Sequence, residues 1–270
     1  MTLEKVVSFT SGAQRIVGTA RYAELLDQPT FLLLHGFAGT RNELTVPSLG
    51  IGIFEHVASR LAELGHSSLR IDFRGWGDSD GSIQETSYST QIEDCLAAMD
   101  FVVSQTDLGN GEVILLGWSQ GGLVAAAVAG RTNRPVGVAL WAAVGEPKVS
   151  FPRLVGQNAY LKGLDTEEPT ALTLPWGASV TLGHTFFADV SRIDPMAELS
   201  RYAGPAFIAE GTLDDAIPRG TAEKFAAAHP GNHSVWEAAM DHAFNTASGV
   251  ETLNTLTDAT VSYFKLLPKS

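Results

Sequence analysis

Val113-Ile114-Leu115-Leu116 runs straight into Gly117-Trp118-Ser119-Gln120-Gly121-Gly122, and the small-residue tract Leu123-Val124-Ala125-Ala126-Ala127-Val128-Ala129-Gly130 follows. Four apolar residues read as a buried strand, the small-residue tract as a helix, and the glycine-flanked serine as the turn between them. A serine on such a turn needs small neighbours two residues away on each side, because the strand and helix backbones pass there. The turn also sets Ser119 at a helix N-terminus, where developing negative charge is favoured. Ser119 is the candidate nucleophile.

Outward from this unit, strands alternate with helical patterns. Lys5 to Phe9 and Arg15 to Arg21 form a predicted hairpin, and Phe31 to Leu34 is a buried strand ending at His35-Gly36. Phe54, Val57, Ala58 and Leu61 recur at helical spacing, and Ser68 to Phe73 is the next strand. Tyr88, Ile92, Cys95, Met99 and Val102 mark a helix face whose N-cap is Thr86 or Ser87. Beyond Gly130 come strands at Val136 to Trp141, Pro205 to Ala209 and Ser234 to Glu237, with helices at Thr221 to Ala228 and through Leu253, Leu256, Val261 and Phe264. This alternation implies an α/β domain: a mostly parallel, eight-stranded sheet covered by helices on both faces. Residues 145–193 break the rhythm. The segment carries Pro147, Pro152, Pro169 and Pro175, with a small hairpin at Thr173 to Leu182, and reads as a cap inserted into a single domain spanning residues 1–270.

A serine hydroxyl needs a base. Of seven histidines, His56 and His66 fall in or at the end of a surface helix, and His229 and His233 flank a Pro-Gly break that spoils their metal-like spacing. His242 follows the last strand, at the sheet edge where Ser119 lies, and is the candidate base. The acid belongs on the loop after the preceding strand, where Asp214 is preferred and Asp215 is the alternative; Asp241, adjacent to His242, is disfavoured. Oxyanion donors are the backbone N–H of Gln120 and, from the His35-Gly36-Phe37-Ala38-Gly39 loop, that of Phe37, with His35 bracing the loop. Phe37, Trp118, Trp141, Phe186 and Phe187 are candidates for an apolar substrate pocket.

Bulk properties narrow the partners. The 270 residues are 44% apolar and 18% charged, with a formal net charge of −12, which disfavours disorder and repels phosphate backbones and polyanions. Neutral or weakly charged small-molecule esters suit this surface; nucleic-acid and membrane partners are not expected. One cysteine, Cys95, allows no intramolecular disulfide and reads as a core filler. The N-terminus lacks the apolar run of a signal peptide, and a cytoplasmic protein is expected. Gly75 to Asp78 has neither the spacing nor the lysine of a nucleotide loop. No metal or cofactor is implied.

In order, HGFAGT, DFRGWGDSDG, GWSQGG, GTLDDAIP and DHAF resemble the motifs of the α/β-hydrolase superfamily over nearly the whole chain. Within it the chain is similar to the serine esterases of the cinnamoyl or feruloyl esterase group. That group carries an HGF-type loop, a glutamine after the serine, and a short cap whose end Gly183 to Asp194 matches. The resemblance implies a triad of Ser119, Asp214 and His242, oxyanion amides at Phe37 and Gln120, and hydrolysis of short-to-medium acyl or aryl esters. Trp118 stands where that group often has histidine. Thioesterase, amidase and peptidase share the same site chemistry, and a non-catalytic ligand-binding protein retains the same fold. Dehalogenases and epoxide hydrolases place an aspartate where Ser119 stands.

Overall fold

The short apolar runs Phe31 to Leu34 and Val113 to Leu116 become the centre of a sheet. In the computed structural model, which describes residues 3–266, strands β1 (Glu4–Ser11), β2 (Gln14–Arg21) and β3 (Thr30–Leu34) are followed by the two-residue strands β4 (Thr45–Val46) and β5 (Ile51–Gly52) and by helix α1 (Ile53–Glu63). Strand β6 (Ser68–Ile71), helix α2 (Tyr88–Ser104), strand β7 (Val113–Trp118), helix α3 (Gln120–Thr132) and strand β8 (Gly137–Trp141) complete the first half. Helices α4 (Pro147–Val155) and α5 (Gln157–Asp165), the antiparallel pair β9 (Thr170–Thr173) and β10 (Ser179–Leu182), and helix α6 (His184–Arg192) form the segment expected to be a cap. The chain then returns through α7 (Pro195–Leu199), β11 (Ala206–Gly211), α8 (Thr221–Ala228), β12 (His233–Ala238) and α9 (Glu251–Lys265).

Eight strands form the main sheet in the order β1-β2-β6-β3-β7-β8-β11-β12. β1 and β2 pair antiparallel, β2 meets β6 antiparallel, and every other neighbour is parallel. Burial follows position. Every residue of β3, β7 and β8 is buried, as a strand covered on both faces demands, whereas β12 at the edge alternates between exposed and half-buried. In α3, eleven of the residues are buried, and its alanines and glycines bring it close to the sheet. Among the described residues no helix is long and apolar enough to cross a membrane.

The sequence reading of the main sheet agrees with this architecture, with local differences. The strand expected to reach Phe73 stops at Ile71, because Asp72 is drawn into side-chain bonding with Arg41 and Phe73 donates its amide to His35. Ser87, rather than Thr86, caps α2, accepting from the Thr90 amide. His66, expected in or at the end of a surface helix, is buried in the connection between α1 and β6, with Nδ1 against the Pro29 carbonyl and its ring edge-on to Phe31. Helices α4 to α6 were not foreseen.

Candidate active site

Ser119 terminates β7 with φ 55° and ψ −116°, a left-handed conformation that strains any residue with a Cβ. The turn holds that strain by hydrogen bonds: the Ser119 amide donates to Trp141, and its carbonyl accepts from Gly122 and Val144. The flanking glycines are required by distance. A Cβ on Gly117 would lie 2.2 Å from the Gly121 carbonyl oxygen, and one on Gly121 only 1.9 Å from that of Leu34. The G-x-S-x-G spacing is therefore the spacing at which β3, β7 and α3 touch.

The loops after β11 and β12 bring Asp214 and His242 to the same edge. His242 Nδ1 lies 2.8 Å from Asp214 Oδ2. The other Asp214 oxygen accepts the amides of Ala216 and Ile217 at 2.8 and 3.0 Å, so the carboxylate is fixed before it meets the ring. Its side chain is 1% exposed and that of His242 is 24% exposed. Asp215 has no such bond and lines the adjoining cavity instead. Asp241 exchanges hydrogen bonds with Asn245, closing the turn on which His242 sits. Ser119 and His242 line one cavity, and no hydrogen bond joins their side chains here.

The loop expected to carry an oxyanion donor, residues 35–39, is braced from below. His35 is fully buried, with Nδ1 2.8 Å from the Gly36 carbonyl and Nε2 accepting the Phe73 amide at 3.2 Å. These partners fix the neutral tautomer with the proton on Nδ1, and burial lowers the ring's pKa in the same sense. Arg41 ties the loop's far end to Asp72 and Asp78. The side chain of Gln120 donates to Gln91 at 3.0 Å, which anchors the first turn of α3. Among the described residues, the Phe37 and Gln120 amides have no hydrogen-bond partner.

The cavity over Ser119 measures about 700 Å³. Of the five aromatics expected to line it, Phe37 and Trp118 do so. Trp118 packs at 5.4 Å from the His242 ring and 5.2 Å from Phe244, and its indole nitrogen has no partner among the described residues. Trp141, Phe186 and Phe187 are corrected. Each is fully buried and absent from the cavity wall. Trp141 packs on Phe244 and donates to Thr260, while Phe186 supports Phe37 and Phe151 from behind, and Phe187 contacts Phe151 and Tyr160. Phe151, Leu44 and Trp176 line the cavity and were missed, as were the charged residues Glu43 and Arg153.

The remaining candidates lie elsewhere. His229 and His233 sit 5.8 Å apart by ring centroids, with Tyr202 stacked on His229. Among the described residues the group with metal-ligand spacing is Glu210, Glu223 and Glu237. Glu210 there accepts the Gly220 and Ala222 amides, an N-terminal cap for α8. Cys95 is buried in α2, and burial pushes its thiol well above the usual range, which makes it inert.

Comparison with known proteins bears on the fold. The family described as alpha/beta hydrolase fold matches residues 29–161. An uncharacterized 31.7 kDa protein of Escherichia coli, from the traX-finO intergenic region, is 31% identical over 97 residues, which is 36% of this chain and 31% of that protein. The chain thus matches about a third of that relative's length. The quorum-quenching protein AidA of Acinetobacter baumannii is 24% identical, with 79% of each chain covered. Among solved structures, Est1E from Butyrivibrio proteoclasticus with bound ferulic acid superposes with a TM-score of 0.77 at 18% identity, covering 96% of this chain and 99% of that one. Topology, elbow and family match coincide, and the chain is a protein of the α/β-hydrolase fold.

Proposed function

We propose that the chain is a serine hydrolase that cleaves carboxylic esters with short-to-medium acyl or aryl groups through an acyl-enzyme. One observation carries the reading. A doubly anchored, buried Asp214 orients His242 on the cavity that also holds Ser119 at its strained turn. Asp214 holds the imidazole with Nδ1 protonated, leaving Nε2 as the proton acceptor. Ser119 Oγ attacks the ester carbonyl, and its proton passes to His242. The free amides of Phe37 and Gln120 supply donors for the oxygen that becomes negative. His242 then gives its proton to the departing alcohol, and water, activated by the same nitrogen, releases the acid. Hydrogen bonds of this kind are often unformed before substrate arrives and close in the complex.

The mainly apolar cavity supports uncharged acyl or aryl groups, and the ferulic acid held by Est1E points the same way. The test is a p-nitrophenyl ester series from acetate to palmitate, with Ser119→Ala in parallel. Turnover by the wild type alone, greatest at short or medium chains, is the expected result. Wild-type inactivity on every chain length would overturn the ester reading and direct attention to thioesters and amides.

A further inference from the structure

Glu43 is an ionisable group in the cavity that the triad mechanism does not use. It lies between β3 and β4 at φ 62°, a left-handed conformation unfavourable to glutamate. As a residue it is only partly buried, but its carboxyl end is enclosed by the oxyanion loop. Oε1 accepts the Gly36 amide. A Cβ on Gly36 would lie 3.5 Å from that oxygen and 3.5 Å from Ser119 Cβ, so Gly36 stands between the carboxyl and the serine, and both line the same cavity. A Cβ on Gly39 would lie 2.7 Å from Oε2; glycine there lets the loop wrap over the acid.

We propose that Glu43 is a positioning residue for the oxyanion loop and that it works as an uncharged carboxylic acid. The proposal rests on the esterase reading above. By taking the Gly36 amide, Glu43 fixes the His35–Gly36 peptide, one peptide before the Phe37 amide, which stays free for the substrate oxygen. A charged carboxylate lining the same cavity as Ser119 would oppose the oxygen that turns negative in the transition state. Enclosure lifts the Glu43 pKa to about 8, against the opposing effect of the Gly36 hydrogen bond, and no charged neighbour contributes to the shift. The other titratable groups on the cavity are Tyr88, Arg153, Asp215 and His242. Arg41, two residues away, is committed to Asp72 and Asp78. The acid is therefore neutral at pH 7 and becomes an anion in mildly alkaline solution.

The experiment measures kcat and KM on p-nitrophenyl butyrate from about pH 6 to about pH 10 for the wild type, Glu43→Gln, Glu43→Ala and Ser119→Ala. The wild type is expected to lose kcat/KM above about pH 8, where Glu43 ionises. Glu43→Gln keeps an acceptor for Gly36 without a titrating proton. It should hold kcat at neutral pH within about threefold and stay level through the alkaline range. Glu43→Ala should lose about tenfold or more in kcat with little change in KM, because it releases the loop rather than the substrate. A wild-type profile level to about pH 10 overturns the proposal, and that readout needs no variant to fold. So does a Glu43→Gln variant that falls with the wild type, or one as impaired as Glu43→Ala. A wild type inactive on esters fails the underlying reading as well, whereas an active one without the alkaline fall fails this proposal alone.

Discussion

Asp214 Oδ2 lies 2.8 Å from His242 Nδ1, while the second oxygen of the same carboxylate is held by two backbone amides at 2.8 and 3.0 Å. The carboxylate is thus fixed by the chain before it fixes the ring, and Asp215 beside it is not. Asp214→Asn should lower kcat by about a thousandfold to ten-thousandfold, because the amide leaves His242 in the wrong tautomer. Asp215→Asn should stay within about fivefold of wild type. Equal losses in both, measured as kcat on one ester, would contradict the assignment.

The elbow makes a stability prediction. A Cβ on Gly121 would stand 1.9 Å from the Leu34 carbonyl oxygen, a backbone atom that cannot move without disturbing β3. Gly121→Ala should destabilise by about 3 kcal/mol or more. Urea unfolding would show it as a lower midpoint with an unchanged slope. A midpoint within error of the wild type would mean that the elbow is looser than its distances imply.

Trp176 is 59% exposed at the tip of the hairpin joining β9 and β10, and it lines the cavity. An exposed indole contributes little to folding, so Trp176→Ala should leave stability within about 0.5 kcal/mol. It should raise KM for aryl and longer acyl esters about fivefold, matching roughly 1 kcal/mol of lost apolar contact, with kcat unchanged. Unaltered KM across the ester series would remove Trp176 from the substrate path.

Stability should carry the mark of Glu43. Its pKa rises from an ordinary 4.5 to about 8 on folding, so between those values the native state holds a proton that the unfolded chain has released. Stability from this group therefore falls as pH rises through that window, the reverse of a salt-bridged carboxylate. Glu43→Gln removes the slope, so its melting temperature relative to wild type should climb from about pH 5 to about pH 8. A difference that is constant or shrinks over that window would show that the carboxyl ionises normally in the native state.

The sheet was legible in the sequence because its central strands are buried on both faces and read as unbroken apolar runs, as in Phe31 to Leu34 and Val113 to Leu116. The placement of Ser119 at the strained turn and of His242 on the cavity was legible because a steric requirement and a strand order single them out. The partner of His242 was legible as Asp214 with Asp215 as the alternative, since the two are adjacent and the amides that hold Asp214 come from later in the turn. The cap was opaque. Helices α4 and α5 are short and carry few buried residues, and α4 has Pro152 within it, so no helical period stands out. Trp141, Phe186 and Phe187 show why an aromatic side chain does not announce its surroundings: each was expected in the cavity and each packs in the core. Glu43 was invisible for the opposite reason. Its chemistry comes from the loop folded over it, and nothing in the string Arg-Asn-Glu-Leu distinguishes it from a surface acid.

The central claim is that Ser119 is a nucleophile activated by His242. The most direct measurement is intact and peptide mass spectrometry after treatment with a fluorophosphonate, which phosphonylates an activated serine irreversibly. The expected result is one adduct per chain, located on Ser119, lost in Ser119→Ala and greatly slowed in His242→Ala. An unlabelled wild type, or an adduct on another residue that persists in Ser119→Ala, would contradict it.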